Sequence, residues 1–194
     1  MRLTKALAEH PDRQTADVVR LLLLTGARRG EVLAARWADI DLSAGIWSKP
    51  PSSTKQKEHH QAPLSAPARQ LLAEIRERHA RKRHPLGEFV FPGGGSTGHV
   101  VEIKRAWRQL CKAAGIAGLR IHDLRHSFAS QLASGGASLP LIGALLGHSN
   151  PATTHRYSHL FDDPQRAALE RVGAVITAAG KGEPAEPTPI KRGH

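Results

Sequence analysis

The sequence predicts a mainly α domain with a small antiparallel β-sheet. Three observations lead there. Apolar residues recur at helical spacing through most of the chain, between glycines and prolines that mark helix ends. One stretch, residues 39–64, loses that period and is broken by Gly45, Pro50, Pro51 and Pro63, so it reads as short strands joined by polar turns. No repeat is visible, and 194 residues suffice for one well-cored domain but are short for two.

The elements follow in order. Thr15 or Asp17 opens a helix through VVRLLLL, and Gly26 stops it, because a residue without a side chain suits a helix end. A second helix runs from about Arg29 to Trp37, with Val32 and Leu33 towards a core. After the strand segment, Ser65 caps a long helix with Pro67 in its first turn and Leu71, Leu72 and Ile75 on one face. That helix ends in the basic run RERHARKRH. The segment FVFPGGGSTGH is an extended piece and a glycine-rich loop; no Gly-Lys-Ser/Thr follows, so it is not a phosphate-binding loop. Another helix covers roughly Val100 to Ala114. Helices then follow closely: HDLRHSFASQLAS closed by Gly135-Gly136, SLPLIGALLG, PATTHRYSHL, and a last one from Asp162-Asp163-Pro164 through RAALERVGAVI. About seven or eight helices and two or three short strands are expected. Residues 180–194, rich in proline, glycine and charge, read as a disordered tail.

Composition narrows the function. Lysine and arginine number 28 against 17 acidic residues, a net charge of +11 before the 12 histidines are counted. Such an excess favours a polyanionic partner, nucleic acid first. One cysteine, Cys111, rules out an intrachain disulfide. The first residues lack the apolar core of a signal peptide, and the longest greasy stretch, Val18 to Leu24, carries Arg20 and is too short to span a bilayer. Secreted, membrane-spanning and disulfide-scaffold classes are set aside.

Arginine, histidine and tyrosine then stand at element ends. Arg28 follows the helix-ending Thr25-Gly26. His122 and Arg125 are three apart on one helix and share a face. His148 follows Gly147, and Tyr157, the one tyrosine of the chain, lies nine residues later on the next short helix. Guanidinium groups grip phosphate oxygens, histidines move protons near neutrality, and a tyrosine hydroxyl can be a nucleophile. Together they make a phosphoryl-transfer site. The bland readings weigh against this: a lone tyrosine usually packs, and an arginine pair is usually solvated surface. His122 with His126, and His155 with His159, have zinc-ligand spacing, yet neither pair has an evident third ligand. Glu31 reads as structural, holding Arg28 or a backbone donor at the start of its helix.

TGARRGEVLAARWADIDL, TKQKEHHQAPLS and HDLRHSFASQLASGGASLPLIGALLGHSNPATTHRYSHL closely resemble the catalytic domain of tyrosine recombinases, the phage integrase family. The resemblance runs over roughly residues 15–175. It implies the tyrosine recombinase catalytic-domain fold acting on double-stranded DNA, with neither cofactor nor metal. By position, it implies catalytic roles for Arg28, Lys55, His122, Arg125, His148 and Tyr157. Tyr157 would attack a scissile phosphodiester, leaving a 3′-phosphotyrosine and a free 5′-hydroxyl. Arg28, Arg125 and His148 would bind the phosphate, His122 would assist the tyrosine proton, and Lys55 would protonate the departing oxygen.

The same resemblance sets further expectations. Residues 1–179 form the catalytic domain. The family's separate N-terminal DNA-binding domain has no room before Arg28, which makes the chain an excised domain or a truncated or minimal product. The protein is expected to be a monomer in free solution and a homotetramer on DNA, to be cytoplasmic and bacterial, and to be nucleoid-associated when on DNA. Leu169, Val172 and Ile176 form an apolar stripe on the last helix, which either packs on its own domain or docks on a neighbouring protomer. A type IB topoisomerase shares the site chemistry, a non-catalytic DNA-binding remnant is the second rival, and a basic RNA-binding module lacks the aromatic platform it would need.

Overall fold

A computed structural model describes residues 2–50, 60–81, 87–148, 150–160 and 162–180. The chain begins with a helix the sequence pattern does not announce, α1 (Arg2–Glu9), which buries Ala6 and Leu7. Helix α2 (Arg13–Thr25) starts earlier than Thr15 or Asp17, because Asp12 is the residue that caps it. The Asp12 carboxylate accepts the Thr15 N–H at 3.1 Å and the Thr15 hydroxyl at 2.6 Å, so Thr15 serves the cap from within the first turn. Asp17 lies inside the helix, buried and paired with Arg20 and Arg78. Gly26 ends α2 in the left-handed conformation, φ 59°, and returns its N–H to the Leu22 carbonyl.

The second expected helix is shorter than its pattern: α3 (Arg29–Leu33) is followed by a separate 3-10 turn at Trp37–Asp39. Strands β1 (Ile40–Asp41), β2 (Ile46–Lys49) and β3 (His60–Pro63) form an antiparallel sheet in that order. In β2, Trp47 and Lys49 face inward while Ser48 is exposed, the alternation of a half-buried strand. Lys49 pairs with His60 across β2 and β3, so the strands meet beside the site. Ser65 stands at the cap position of α4 (Ala66–Ala80) without making a side-chain cap bond, and Leu71, Leu72 and Ile75 are buried as expected.

Helix α5 (Lys104–Ala113) begins four residues later than Val100. Helices α6 (Asp123–Ser134) and α7 (Leu139–Leu146) fall where the pattern puts them, and Gly147 caps α7 at φ 65°. Helix α8 (Ala152–His155) is short, a 3-10 turn covers Ser158–Leu160, and α9 (Asp162–Gly180) closes the described chain. Tyr157 lies between α8 and that 3-10 turn and not on a helix. Residues 181–194, which include nearly all of the expected tail, lie outside the described residues.

Among the described residues, two hydrophobic clusters form. The larger gathers α1 to α5 and the sheet around Val18, Leu21, Trp47, Leu72, Phe91 and Leu110. The smaller consists of Ala129, Ala133, Ile142, Leu146 and Tyr157. The candidate site lies where they meet, since α6 contributes Leu124 to the first and Ala129 to the second.

Candidate active site

Two helix C-termini converge on two arginines. The Arg125 guanidinium donates from Nη1 to the Gly26 carbonyl and from Nη2 to the Leu146 carbonyl, both at 2.7 Å. Arg28 donates from Nη2 to the Gly147 carbonyl at 3.2 Å. The ends of α2 and α7 leave carbonyls without helical partners and carry the negative pole of the helix dipole, so each is a natural seat for a cation. Two guanidiniums side by side repel one another. Burial and the neighbouring Arg28 accordingly pull the Arg125 pKa down to about 10, still charged at neutrality. Two of its five N–H donors are spent on carbonyls, which leaves three for a ligand.

Glu31 balances the charge. Its carboxylate accepts from Arg28 Nη1 at 2.7 Å, from the Arg28 backbone N–H at 3.1 Å and from Lys49 Nζ at 2.9 Å. This confirms the structural reading of Glu31 in both of its forms. Burial pushes the carboxyl up, but Lys49 and Arg28 outweigh that and hold it below the ordinary range. Burial pulls Lys49 down, with Glu31 opposing, and its ammonium also sits 4.6 Å above the Trp47 ring.

His60 closes the far side. Its Nε2 donates to the Ala144 carbonyl at 2.8 Å, and its ring lies where a side chain at residue 147 would stand, 3.1 Å from the Cβ position. Only glycine satisfies both that contact and the positive φ at this position. His148 has Nδ1 2.9 Å from the Thr154 hydroxyl. Burial, then Arg125 and Arg28, push its pKa down to about 4, so it is neutral at physiological pH. Tyr157 is 4% exposed, packed in the smaller cluster with its hydroxyl 2.7 Å from His126 Nδ1. Tyr157 thus packs in the core while its hydroxyl keeps a side-chain partner. Burial raises its pKa, with Arg156 and Arg125 opposing.

Of the six residues the resemblance points to, Arg28, His122, His148 and Tyr157 all lie within electrostatic reach of Arg125. His122 stands exposed at the cap of α6, its ring edge-on to His126 at 4.9 Å. Lys55 lies outside the described residues, between Lys49 and His60, the two stem residues that flank the site. Lys49, His60 and Thr154 are not singled out by the sequence, although a lysine on the inward face of a strand is a visible signal. His126 shows in the sequence only as half of a zinc-spaced pair. Among the described residues, no group of three or more His, Cys, Asp or Glu gathers that could hold a metal ion.

The family and the fold have known relatives. The profile described as the phage integrase family matches residues 2–163, and the chain belongs to that family. It is 34% identical over 140 residues to the tyrosine recombinase XerC of Xanthomonas axonopodis pv. citri (strain 306), covering 70% of this chain and 43% of XerC. The crystal structure of XerA recombinase superposes with a TM-score of 0.69 at 26% identity, over 88% of this chain and 61% of that one. The catalytic domain of bacteriophage HP1 integrase shares the fold, with a TM-score of 0.64 at 22% identity over 87% of this chain and 88% of the domain. The mainly helical fold with its small antiparallel sheet is thus that of tyrosine recombinase catalytic domains. The chain spans about half the length of the curated relatives it matches.

Proposed function

We propose that residues 1–179 are the catalytic domain of a site-specific DNA recombinase or integrase, which cleaves and rejoins duplex DNA through a 3′-phosphotyrosine. The observation that carries this reading is the seating of Arg28 and Arg125 on the carbonyl ends of α2 and α7, within the electrostatic reach of His148 and Tyr157. A phosphodiester bound there meets two fixed guanidiniums. Negative charge on its non-bridging oxygens grows as the tyrosine attacks, and fixed cations stabilise that growth without reorganising.

His148 adds a donor. Kept neutral, and with the Thr154 hydroxyl donating to Nδ1, it carries its N–H on Nε2, free to hydrogen-bond a phosphate oxygen. Tyr157 is the nucleophile. Its attack breaks the bond to the 5′-oxygen, and Lys55, on the β2–β3 connection, protonates that oxygen as it leaves. Bond energy is kept in the phosphotyrosine, so a 5′-hydroxyl of another strand reverses the step. The net charge of +11 supports a duplex DNA partner. The segment after Tyr157 docks on a neighbouring protomer in a DNA-bound tetramer. In support, Leu169, Val172 and Ile176 of α9 are 71%, 56% and 67% exposed in the single chain.

Strand transfer tests this reading. A randomised pool of nicked duplexes, supplied with a second pool of 5′-hydroxyl strands, should yield joined products. Relaxation of a supercoiled plasmid without any joined product would select a topoisomerase instead.

A further inference from the structure

We propose that His126 takes the proton from Tyr157 as its phenol oxygen attacks phosphorus. The resemblance gives that task to His122, but the geometry points one helical turn further along α6. Tyr157 is nearly sealed from water, and its hydroxyl has His126 Nδ1 at 2.7 Å as its partner. No hydrogen bond joins His122 to Tyr157 among the described residues; His122 instead packs its ring edge-on against His126. His126 is thereby held between a ring on one side and the phenol on the other, with the ring planes of His126 and Tyr157 tilted by 50°.

The charges around His126 come from several elements: His122 and Asp123 on α6, Arg120 before it, Arg156 beside the tyrosine and His148 after α7. Burial and the cationic neighbours hold the imidazole below its ordinary pKa, against Asp123, so it is neutral at physiological pH. A neutral imidazole whose Nδ1 accepts the phenol proton bears its own N–H on Nε2. In the step, the Tyr157 O–H proton moves to Nδ1, the oxygen–phosphorus bond forms, and the bond from phosphorus to the 5′-oxygen breaks. That oxygen takes its proton from the donor on the leaving side. In the reverse step, His126 returns its proton to the departing phenolate.

This inference rests on the strand-cleavage reading, and two measurements keep the failures apart. The first needs no DNA. Nitrogen NMR of the free chain should show His126 with Nδ1 unprotonated and Nε2 protonated; a proton on Nδ1 overturns the proposal. The second follows covalent adduct formation on the randomised pool of nicked duplexes. His126→Ala should slow it roughly 10²-fold at unchanged DNA affinity. His126→Asn, whose side-chain oxygen can replace Nδ1 as an acceptor but cannot keep a proton, should be equally slow. It should also lose the fall in rate at low pH that the wild type shows. A bridging 5′-sulfur, which needs no leaving-group proton, should rescue neither variant. Wild-type cleavage with an unimpaired His126→Asn, or with sulfur rescue, overturns the proposal alone. A wild-type chain that forms no adduct overturns the cleavage reading as well.

Discussion

Glu31, 4% exposed, holds Arg28 and Lys49 at once, at 2.7 and 2.9 Å. Removing one member of a buried ion network leaves its partners charged and dry, which costs about 3–5 kcal/mol. Glu31→Ala should therefore lower unfolding stability in urea by about that much, and a loss indistinguishable from zero would contradict the pairing. His148 supplies a pH test. Its folded pKa is near 4 against an ordinary 6.5, so the unfolded chain binds the proton first as pH falls. Its contribution is complete above 6.5 and is lost progressively down to about 4. His148→Gln should flatten the stability profile across that window relative to wild type, and an unchanged slope would contradict the burial of a neutral imidazole. On the leaving side, Lys55→Ala should cleave ordinary DNA roughly 10²–10⁴-fold more slowly and recover on a substrate with a bridging 5′-sulfur. Equal impairment on both substrates would make Lys55 a DNA contact. Lys57→Ala should change both rates far less.

At the scale of elements, the glycine ends of α2 and α7 do the positioning. A Cβ at residue 26 would overlap the Phe128 ring, on a backbone with φ 59°. Gly26→Ala should cost about 1–3 kcal/mol for the left-handed backbone, with the overlap added to it, and should disturb the carbonyl that Arg125 holds. Urea denaturation with a wild-type midpoint would contradict this. These helix ends are also what the sequence shows best. Gly26, Gly135 and Gly147 punctuate apolar runs, so the ends of α2, α6 and α7 are legible, and with them the places of Arg28 and His148. Helix starts are less so: Asp12 rather than Thr15 caps α2, because any short polar side chain before the run can serve and only geometry selects one. The site divides the same way. Tyr157, Arg125 and Glu31 follow from type and spacing. Lys49, His60 and Thr154 reach the site through β-pairing and the packing of α7 against β3, and such long-range contacts leave little mark on local pattern.

For the whole molecule, the exposed stripe of α9 and the basic surface make separate predictions. Deleting residues 163–194 removes Leu169, Val172, Val175 and Ile176, all more than half exposed. The truncated chain should lose synapsis of two DNA sites while retaining some cleavage of one; unimpaired synapsis would contradict docking between protomers. The chain alone should bind duplex DNA with little sequence preference, and its affinity should fall with salt at a slope of about −0.9 per phosphate neutralised. Tight, salt-insensitive binding to one sequence would contradict a phosphate-dominated contact. The central chemical claim is separate from both tests: this chain joins itself to DNA through its single tyrosine. The direct measurement is mass spectrometry of the covalent adduct formed on nicked duplexes, with and without EDTA, for wild type and Tyr157→Phe. The expected product is a 3′-phosphate esterified to Tyr157, formed equally with EDTA and absent from the phenylalanine variant. An adduct that survives Tyr157→Phe, or one that EDTA abolishes, would contradict it.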